Sequence, residues 1–344
     1  MVRGENPEAV PFWFMRQAGR YLPEYRALRA QSNGFLDMAY TPSKACEVTL
    51  QPLRRFGMDA AIIFSDILVV PHALGRDLTF VPGVGPKLDP LETAGDIAAL
   101  REREIGDVLN PIYDALSLTR ETMNVEGFGD KDLIGFCGAP WTLACYMIEG
   151  GGSKDFFKVR RFAYAQEEAF QDLIDILVEA SISYLCKKIG AGAQAVQIFD
   201  SWAGILDAPS FVKWSIEPTS RIIEQVRLSY PDVPIIGFPR GAGVNYARYV
   251  RETSVDVIGT DSLVDTAYAA KELQPLAAVQ GNLDPACLLA GGDVMVQRVE
   301  QIFSDLKGQN RRFVFNLGHG IHKDTPIEHV ELLVKMIREL GALR

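Results

Sequence analysis

Short apolar runs rich in Val, Ile or Phe recur along the chain, and each ends in Gly, Pro or a polar residue. This pattern is typical of buried parallel strands. The predicted strands cover residues 12–15, 60–64, 133–137, 195–199, 234–238, 255–259, 276–280 and 313–317. Helical spacing of apolar residues predicts helices over residues 42–56, 94–122 (interrupted by Pro111), 162–189, 208–229, 246–253, 264–272, 294–307 and 326–340.

Eight strands that alternate with helices predict an α/β fold, a single (β/α)8 TIM barrel rather than a doubly wound sheet. No repeat or Pro/Ser-rich linker divides the chain, so we predict one domain over residues 1–344. Residues 70–90 contain several Gly and Pro residues and are too long for a simple turn. We expect them to form a loop or hairpin over one end of the barrel.

Composition and charge narrow the classes of partner. The formal net charge of -9 argues against nucleic acid and anionic membranes, so an anionic substrate would need a local basic pocket. The five cysteines include no CxxC pair and are expected to be reduced, mostly buried thiols. The sequence shows no signal peptide and no membrane span, because Ser65 and Asp66 break the apolar run 60–70. We expect a cytoplasmic enzyme or binding protein.

Nearly every predicted strand is followed by polar residues, and the active site of a (β/α)8 barrel is built at those strand ends. Each of them alone is typical of a helix cap, but together they predict a polar cleft with aromatic walls. The polar residues are Arg16, Arg20, Ser65, Asp66, Thr142, Tyr146, Asp200, Ser201, Arg240, Asp261, Asn282, Asp284 and His319, and the aromatic residues are Phe14, Trp141 and Phe199.

Two local features have alternative interpretations. Arg16 and Arg20 are four residues apart, which suits either a solvated helical pair or a receptor for carboxylates. Asp66 follows an apolar strand, which suits either a cap for the next turn or a buried carboxylate for a cationic or N–H-donating ligand.

His319 lies between Gly318 and Gly320, and we expect these glycines to leave room for a ligand. No His or Cys partner completes a recognisable metal site with His319 and His322. The glycine-rich stretches at 150–154 and 241–246 fit neither GxxxxGK[ST] nor GxGxxG. We therefore predict neither a metal nor a nucleotide site.

Several motifs together carry a resemblance that extends over essentially the whole chain. They are PFWFMRQAGRYLPEY at 11–25, FSDIL at 64–68, GFCGAPWTLACYMIEGGGS at 135–153, FDSWAG at 199–204, QGNLDP at 280–285 and NLGHG at 316–320. With these motifs the chain resembles the uroporphyrinogen decarboxylase family. Asp200 and Trp202 flank Ser201 where some relatives carry Glu and His.

The resemblance implies a homodimeric (β/α)8 barrel that needs no cofactor or metal. It implies removal of carbon dioxide from the four acetate arms of uroporphyrinogen III, a tetrapyrrole, to give coproporphyrinogen III in haem biosynthesis. The implied substrate-binding positions are Arg16, Gln17, Ala18, Gly19, Arg20, Arg29, Asp66, Tyr146, Ser201 and His319.

The chemistry of such a substrate suggests roles for these residues. Protonation of a pyrrole carbon supplies an electron sink, and Asp66 is expected to accept the pyrrole N–H groups and stabilise the cationic ring. Arg16 and Tyr146 complete the expected catalytic set. Whether Arg16 also donates a proton is open, since a guanidinium holds its proton tightly. Whether His319 adds a charge to its hydrogen bond is open too.

Two other functions compete with this interpretation. A zinc-dependent corrinoid methyltransferase has the same fold, but the chain lacks an HxC ligand pair. A non-catalytic tetrapyrrole-binding protein would retain the cleft, but Asp66, Arg16, Arg20 and Tyr146 are all present.

Overall fold

The computed structural model describes residues 9–81, 83–103, 105–308 and 312–342. Within them, seven parallel strands form one curled sheet in the order β1-β4-β5-β6-β7-β8-β9, and β2 and β3 form a separate antiparallel hairpin. The strands are β1 (Ala60–Ile62), β2 (Leu78–Val81), β3 (Gly85–Leu88), β4 (Asp132–Gly138), β5 (Ala195–Asp200), β6 (Ile235–Pro239), β7 (Val257–Gly259), β8 (Ala278–Leu283) and β9 (Phe313–Leu317).

The helices connect these strands in chain order. They are α1 (Pro23–Ala30), α2 (Phe35–Tyr40), α3 (Pro42–Phe56), α4 (Val69–Ala73), α5 (Ala94–Ala98), α6 (Gly106–Val125), α7 (Pro140–Glu149), α8 (Phe157–Ala165), α9 (Glu167–Gly190), α10 (Ala208–Phe211), α11 (Glu217–Ser229), α12 (Tyr246–Thr253), α13 (Thr266–Tyr268), α14 (Pro285–Ala290), α15 (Gly292–Leu306) and α16 (Ile327–Gly341). The alternation of strands and helices confirms the predicted α/β class.

The first predicted strand, residues 12–15, is not a strand of the sheet. Its one β-bridge, among the described residues, is a parallel pair between Phe12 and Phe315. Backbone hydrogen bonds join Phe315 to this segment on one side, and the Asp59 amide donates to the Phe12 carbonyl at 3.0 Å on the other. The segment stays short because the chain turns at once, with the Gln17 amide bonded to the Phe14 carbonyl at 3.0 Å.

The inner face of the sheet combines apolar and hydrogen-bonded polar side chains. Residues from five strands and from the segment 12–15 form one small apolar cluster: Trp13, Met15, Ala60, Ile134, Ala195, Phe238 and Val314. The Trp13 indole donates to Gln280 at 3.0 Å, and the Gln280 amide donates to Gln197 at 3.2 Å. The larger apolar cluster includes the helix faces packed around the sheet. The strand ends are thus held in a rigid frame.

Residues 70–90 contain the expected hairpin, formed by β2 and β3 after the short helix α4. The Leu88 amide donates to the Gly150 carbonyl at 3.0 Å, and Lys87 forms a β-bridge with Gly151. Gly150 ends α7 in the left-handed conformation, with a φ of 77°. The hairpin therefore joins the end of the helix that carries Tyr146. Among the described residues, no helix is both long and apolar enough to cross a membrane.

Candidate active site

The predicted polar residues follow strands of the same parallel sheet. Asp66 comes after β1, Tyr146 lies on α7 after β4, Ser201 follows β5, and His319 follows β9. The carboxyl ends of parallel strands meet at one edge of the sheet, so these residues belong to the same end of the molecule. The charge of Arg16 affects the pKa of Asp66, Tyr146 and His319, so the four residues belong to one region.

The backbone of Arg16 is left-handed, with a φ of 57°, which is uncommon for a residue with a side chain. The segment is anchored on both sides of this position. The Met15 amide donates to the Asn316 side chain at 3.0 Å, and the Ile321 amide donates to the Met15 carbonyl at 2.9 Å. The Arg16 side chain is exposed, while Met15 before it and Gln17 after it are buried. Arg16 therefore lies in a turn whose adjacent residues are held in place, and its guanidinium is exposed to solvent.

Gly320 provides the space through which the Arg16 side chain passes. A Cβ at Gly320 would lie 2.3 Å from Cδ of Arg16, and one at Gly318 would lie 2.3 Å from Oγ of Ser262. The position that a Cβ would take at each of these two glycines is therefore not free for a ligand. Neighbouring protein atoms fill that space, and at Gly320 those atoms belong to a residue of the site.

Gln17 is fully buried and ties the Arg16 segment to the sheet. Its Oε1 accepts the Phe14 amide at 3.0 Å, and its Nε2 donates to the Ala60 carbonyl at 3.1 Å. Because both ends of the side-chain amide are bonded inside the protein, Gln17 positions its neighbours. Ala18 and Gly19, which follow it, are half-buried.

Arg20 is exposed, and Arg29 is half-buried on α1. The Asp324 carboxylate, whose pKa is lowered mainly by its hydrogen bond to Lys323, also feels the charge of Arg20. Arg20 therefore lies near the segment that follows His319. Among the described residues, neither Arg20, Arg29 nor Arg16 forms an ion pair in this structure. No acidic side chain of the described residues therefore neutralises these three charges by an ion pair.

Asp66 is a half-buried carboxylate beside Arg16. Its Oδ1 accepts the Leu68 amide at 2.8 Å, which fixes the side chain in a local turn. Burial raises the pKa of Asp66, and the Leu68 amide and the Arg16 guanidinium oppose the rise. The ionised form is therefore costly to maintain, and a ligand with N–H donors or positive charge would stabilise it.

Tyr146 faces the same pair of charges. Burial raises the pKa of Tyr146, Asp66 adds to the rise and Arg16 opposes it. Its ring lies 6.2 Å from the ring of Trp202, centroid to centroid. The phenol is therefore neutral at pH 7 and can donate a hydrogen bond beside Asp66.

The environment of His319 in the folded protein favours its neutral form at pH 7. Burial and the charges of Arg16 and Arg240 lower the pKa of His319 to about 4, with Asp261 opposing them. The Gly320 amide donates to Nδ1 at 2.6 Å, so the neutral ring carries its proton on Nε2. His319 thus offers a hydrogen-bond donor without a charge.

Ser201 is half-buried and follows a fully buried carboxylate, Asp200. One oxygen of Asp200 accepts the Thr142 hydroxyl at 2.6 Å, and the other accepts the Ser215 hydroxyl at 2.5 Å. Burial raises the pKa of Asp200 to about 6, against these two hydrogen bonds. Thr142 also accepts the Trp202 amide at 3.2 Å. The backbone on both sides of Ser201 is therefore fixed.

The sequence predicts Asp200 at a strand end but does not show that it connects β5 to α7 and to the helical segment Val212–Ile216, which carries Ser215. The only signal was an acidic residue directly after an apolar strand, which also describes Asp284. Asp284 caps α14 by accepting the Ala286 amide at 2.8 Å. Asn282 is structural as well, because its side chain donates to the carbonyls of Asp261 and Val264 at 2.9 and 2.8 Å.

The part of the chain that the structure describes contains no group of three or more His, Cys, Asp or Glu side chains placed to hold a metal ion. The grouped side chains instead supply arginine charges, a half-buried carboxylate, a neutral phenol and a neutral imidazole. Such a set suits a ligand that carries both carboxylates and N–H donors.

The matching family model and the similar curated proteins indicate the same family. The family described as "Uroporphyrinogen decarboxylase (URO-D)" matches residues 1–340. A protein named uroporphyrinogen decarboxylase from Rhodospirillum rubrum is 49% identical over 337 residues, which make up 98% of this chain and 95% of the relative. A protein of the same name from a Chelativorans species is 51% identical over 338 residues, or 98% and 96% of the two chains.

A solved methyltransferase from Methanosarcina mazei has a similar structure. Its TM-score is 0.76 at 19% identity, over 98% of this chain and 96% of that one. At this level of identity the similarity describes the fold alone.

Proposed function

The chain belongs to the uroporphyrinogen decarboxylase family, and we propose that it removes carbon dioxide from the four acetate side chains of uroporphyrinogen III to give coproporphyrinogen III. The main support for this proposal is that the side chains of Arg16, Asp66 and Tyr146 lie in one region of the structure. A half-buried carboxylate beside a neutral phenol and a guanidinium that has no ion pair among the described residues matches a substrate with pyrrole N–H groups inside and carboxylates outside.

Each decarboxylation needs a place for the electron pair of the breaking C–C bond. A proton added to a pyrrole carbon makes the ring cationic, and the ring accepts that pair as carbon dioxide leaves. A second proton completes the methyl group, and the first leaves the ring carbon, so each acetate consumes one proton. Asp66 accepts the pyrrole N–H groups, and this contact strengthens as the ring becomes positive.

The carboxylates of the substrate bind to three arginines of the N-terminal region, Arg16, Arg20 and Arg29. Arg16 and Tyr146 hold the reacting acetate beside Asp66, and Arg20 and Arg29 take other arms. Gln17, through its buried amide, keeps Ala18 and Gly19 in place along the cleft.

Hydrogen bonds to further arms come from two neutral groups, the Ser201 hydroxyl and the Nε2–H of His319. No cofactor or metal takes part in this mechanism.

We also propose that residues 1–344 form one domain, a (β/α)8 TIM barrel closed by the segment around Phe12. The hydrogen bonds of that segment to Phe315 and to Asp59 support this proposal. The family resemblance supports a cytoplasmic homodimer.

The test is anaerobic incubation of the purified protein with uroporphyrinogen III, followed by counting of the carboxylates on the product. We expect the four-carboxylate product to accumulate through intermediates with seven, six and five carboxylates. A substrate that keeps all eight carboxylates would overturn the proposal.

A further inference from the structure

Arg240 follows β6 at the same sheet edge as the proposed site, and its backbone is fixed there. Its amide donates to the Asp200 carbonyl at 3.0 Å, and its carbonyl accepts the Gly204 amide at 3.0 Å. In the sheet order, β6 stands in the middle, while the segment of Arg16 contacts β9. Arg240 therefore brings a positive charge to a different side of the cleft.

The Arg240 side chain is half-buried against an aromatic ring. Its Cζ lies 6.0 Å from the ring centroid of Trp202. That ring is itself held by Phe156 at 4.4 Å and Tyr146 at 6.2 Å, centroid to centroid. An aromatic face orients a guanidinium without neutralising it, so the charge is positioned and kept.

Among the residues that the structure describes, no acidic side chain pairs with the Arg240 guanidinium. Asp261, at the end of the neighbouring strand β7, is engaged elsewhere. Its Oδ2 accepts the Gly241 amide at 2.5 Å and the Tyr246 hydroxyl at 2.8 Å, and its Oδ1 accepts the Leu263 amide at 2.8 Å. The Asp261 carboxylate thus accepts hydrogen bonds from neutral donors. Among the described residues, it does not neutralise the charge of Arg240 by an ion pair.

The charge of Arg240 acts on one residue of the site, His319. Together with burial and Arg16, it lowers the pKa of His319 to about 4. Arg16, whose segment contacts β9, and Arg240, which follows β6, therefore both act on one imidazole. A macrocycle with carboxylates on every side needs cations on more than one side of its cleft.

We propose that Arg240 is a further substrate-binding residue, which takes a carboxylate arm of the tetrapyrrole on the β5–β6 side of the cleft. This inference rests on the proposed function and extends it. Because the pairing holds a side arm away from the reacting bond, its loss weakens binding and leaves the chemical step nearly intact.

The test compares Arg240→Gln and Arg240→Lys with the wild type in steady-state kinetics. Arg248→Gln is the matched control, because Arg248 is an exposed arginine of α12 that pairs with Glu252. We expect KM for uroporphyrinogen III to rise about tenfold in Arg240→Gln, with kcat within about twofold of the wild type. Arg240→Lys is expected to recover part of this loss, and Arg248→Gln to match the wild type.

Binding without turnover gives a second measurement. Asp66→Asn and Asp66→Asn/Arg240→Gln are titrated anaerobically with uroporphyrinogen III, and Kd is read from quenching of tryptophan fluorescence. We expect Kd to be about tenfold higher in the double variant. Equal Kd values, or an unchanged KM in Arg240→Gln, would overturn the role of Arg240. Absence of wild-type turnover would instead contradict the proposed function, so the two failures are distinguishable.

Discussion

The side chain of Arg16 occupies the space that a Cβ at Gly320 would need, and these two residues come from near opposite ends of the chain. Arg16 also has a left-handed backbone, a conformation that the surrounding structure must stabilise. Its anchors are the buried Gln17 amide and the Asn316 side chain. At the scale of single residues, the position of the Arg16 guanidinium therefore depends on Gln17, Asn316 and Gly320.

Gly320→Ala is expected to displace Arg16, because the new Cβ would lie 2.3 Å from Arg16 Cδ. We expect KM for uroporphyrinogen III to rise about tenfold or more, since a charge-assisted contact to a carboxylate is lost. Gly308→Ala is the control, because a Cβ there meets nothing within 4 Å. Steady-state kinetics check the effect, and equal KM values in the two variants would contradict it.

Asp66→Asn is expected to lower kcat by about 10²–10³-fold while leaving binding largely intact, because the amide cannot neutralise a cationic ring. The control is Asp130→Asn, at an exposed position beside Lys131. Near-wild-type turnover in Asp66→Asn would argue against the role of this carboxylate.

The wild-type rate should also depend on pH through Asp66. Since burial raises the pKa of Asp66, the ionised form is lost at a higher pH than for an ordinary Asp as the solution is acidified. We therefore expect kcat/KM, which reports the protonation state of the free enzyme, to fall on the acid side.

At the scale of elements, Thr142 and Asp200 connect α7 to the end of β5. The Thr142 hydroxyl donates to Asp200 and accepts the Trp202 amide, so one side chain joins the helix of Tyr146 to the loop of Ser201. The hairpin of β2 and β3 is bonded to the other end of α7 at Gly150. Helix α7 is thus fixed at both ends, which positions Tyr146.

Thr142→Val is expected to destabilise the protein by about 1–3 kcal/mol, because a buried carboxylate oxygen and a backbone amide each lose a partner. Thr119→Val is the matched control, since that buried hydroxyl donates only to the Ala115 carbonyl of its own helix. The free energy of unfolding, measured in urea, is expected to fall less in the control. Equal losses in the two variants would contradict the connecting role of Thr142.

At the scale of the whole molecule, the charge of Lys188 is buried between helix and sheet. Its Nζ donates to the Phe136 carbonyl at 2.7 Å and lies 4.4 and 4.1 Å from the ring centroids of Phe136 and Tyr184. Burial lowers the pKa of Lys188 to about 7. In the folded protein Lys188 therefore loses its proton near pH 7. In the unfolded chain it keeps the proton up to the ordinary lysine pKa of 10.5.

Between about pH 7 and 10.5 this difference makes stability rise with pH, because the unfolded chain binds more protons. Lys188→Met is expected to remove that contribution, on the order of 1 kcal/mol per pH unit. Urea unfolding at pH 7 to 9.5 checks it, with Lys187→Met, at the exposed neighbouring position, as the control. A wild-type and a Lys188→Met protein whose stabilities run parallel over this range would contradict the argument.

Local spacing determined most of the elements. Helices α3 and α12 and strand β9 have the predicted bounds, because hydrophobic periodicity depends on neighbours in the sequence. The predicted helix 162–189 is two helices instead, since the backbone leaves the helical region at Gln166 with a φ of -135°. The predicted strand 12–15 was wrong, because the backbone leaves the extended conformation and turns directly after Phe14.

The sequence by itself also determined the candidate residues of the site, through motifs and through polar residues after apolar strands. Only the tertiary structure decided how they act: Gly320 makes room for Arg16, burial keeps His319 neutral, and Asp200 anchors three elements. A local pattern cannot contain this information. Charge, burial and free space at a strand end depend on residues that meet from distant parts of the chain.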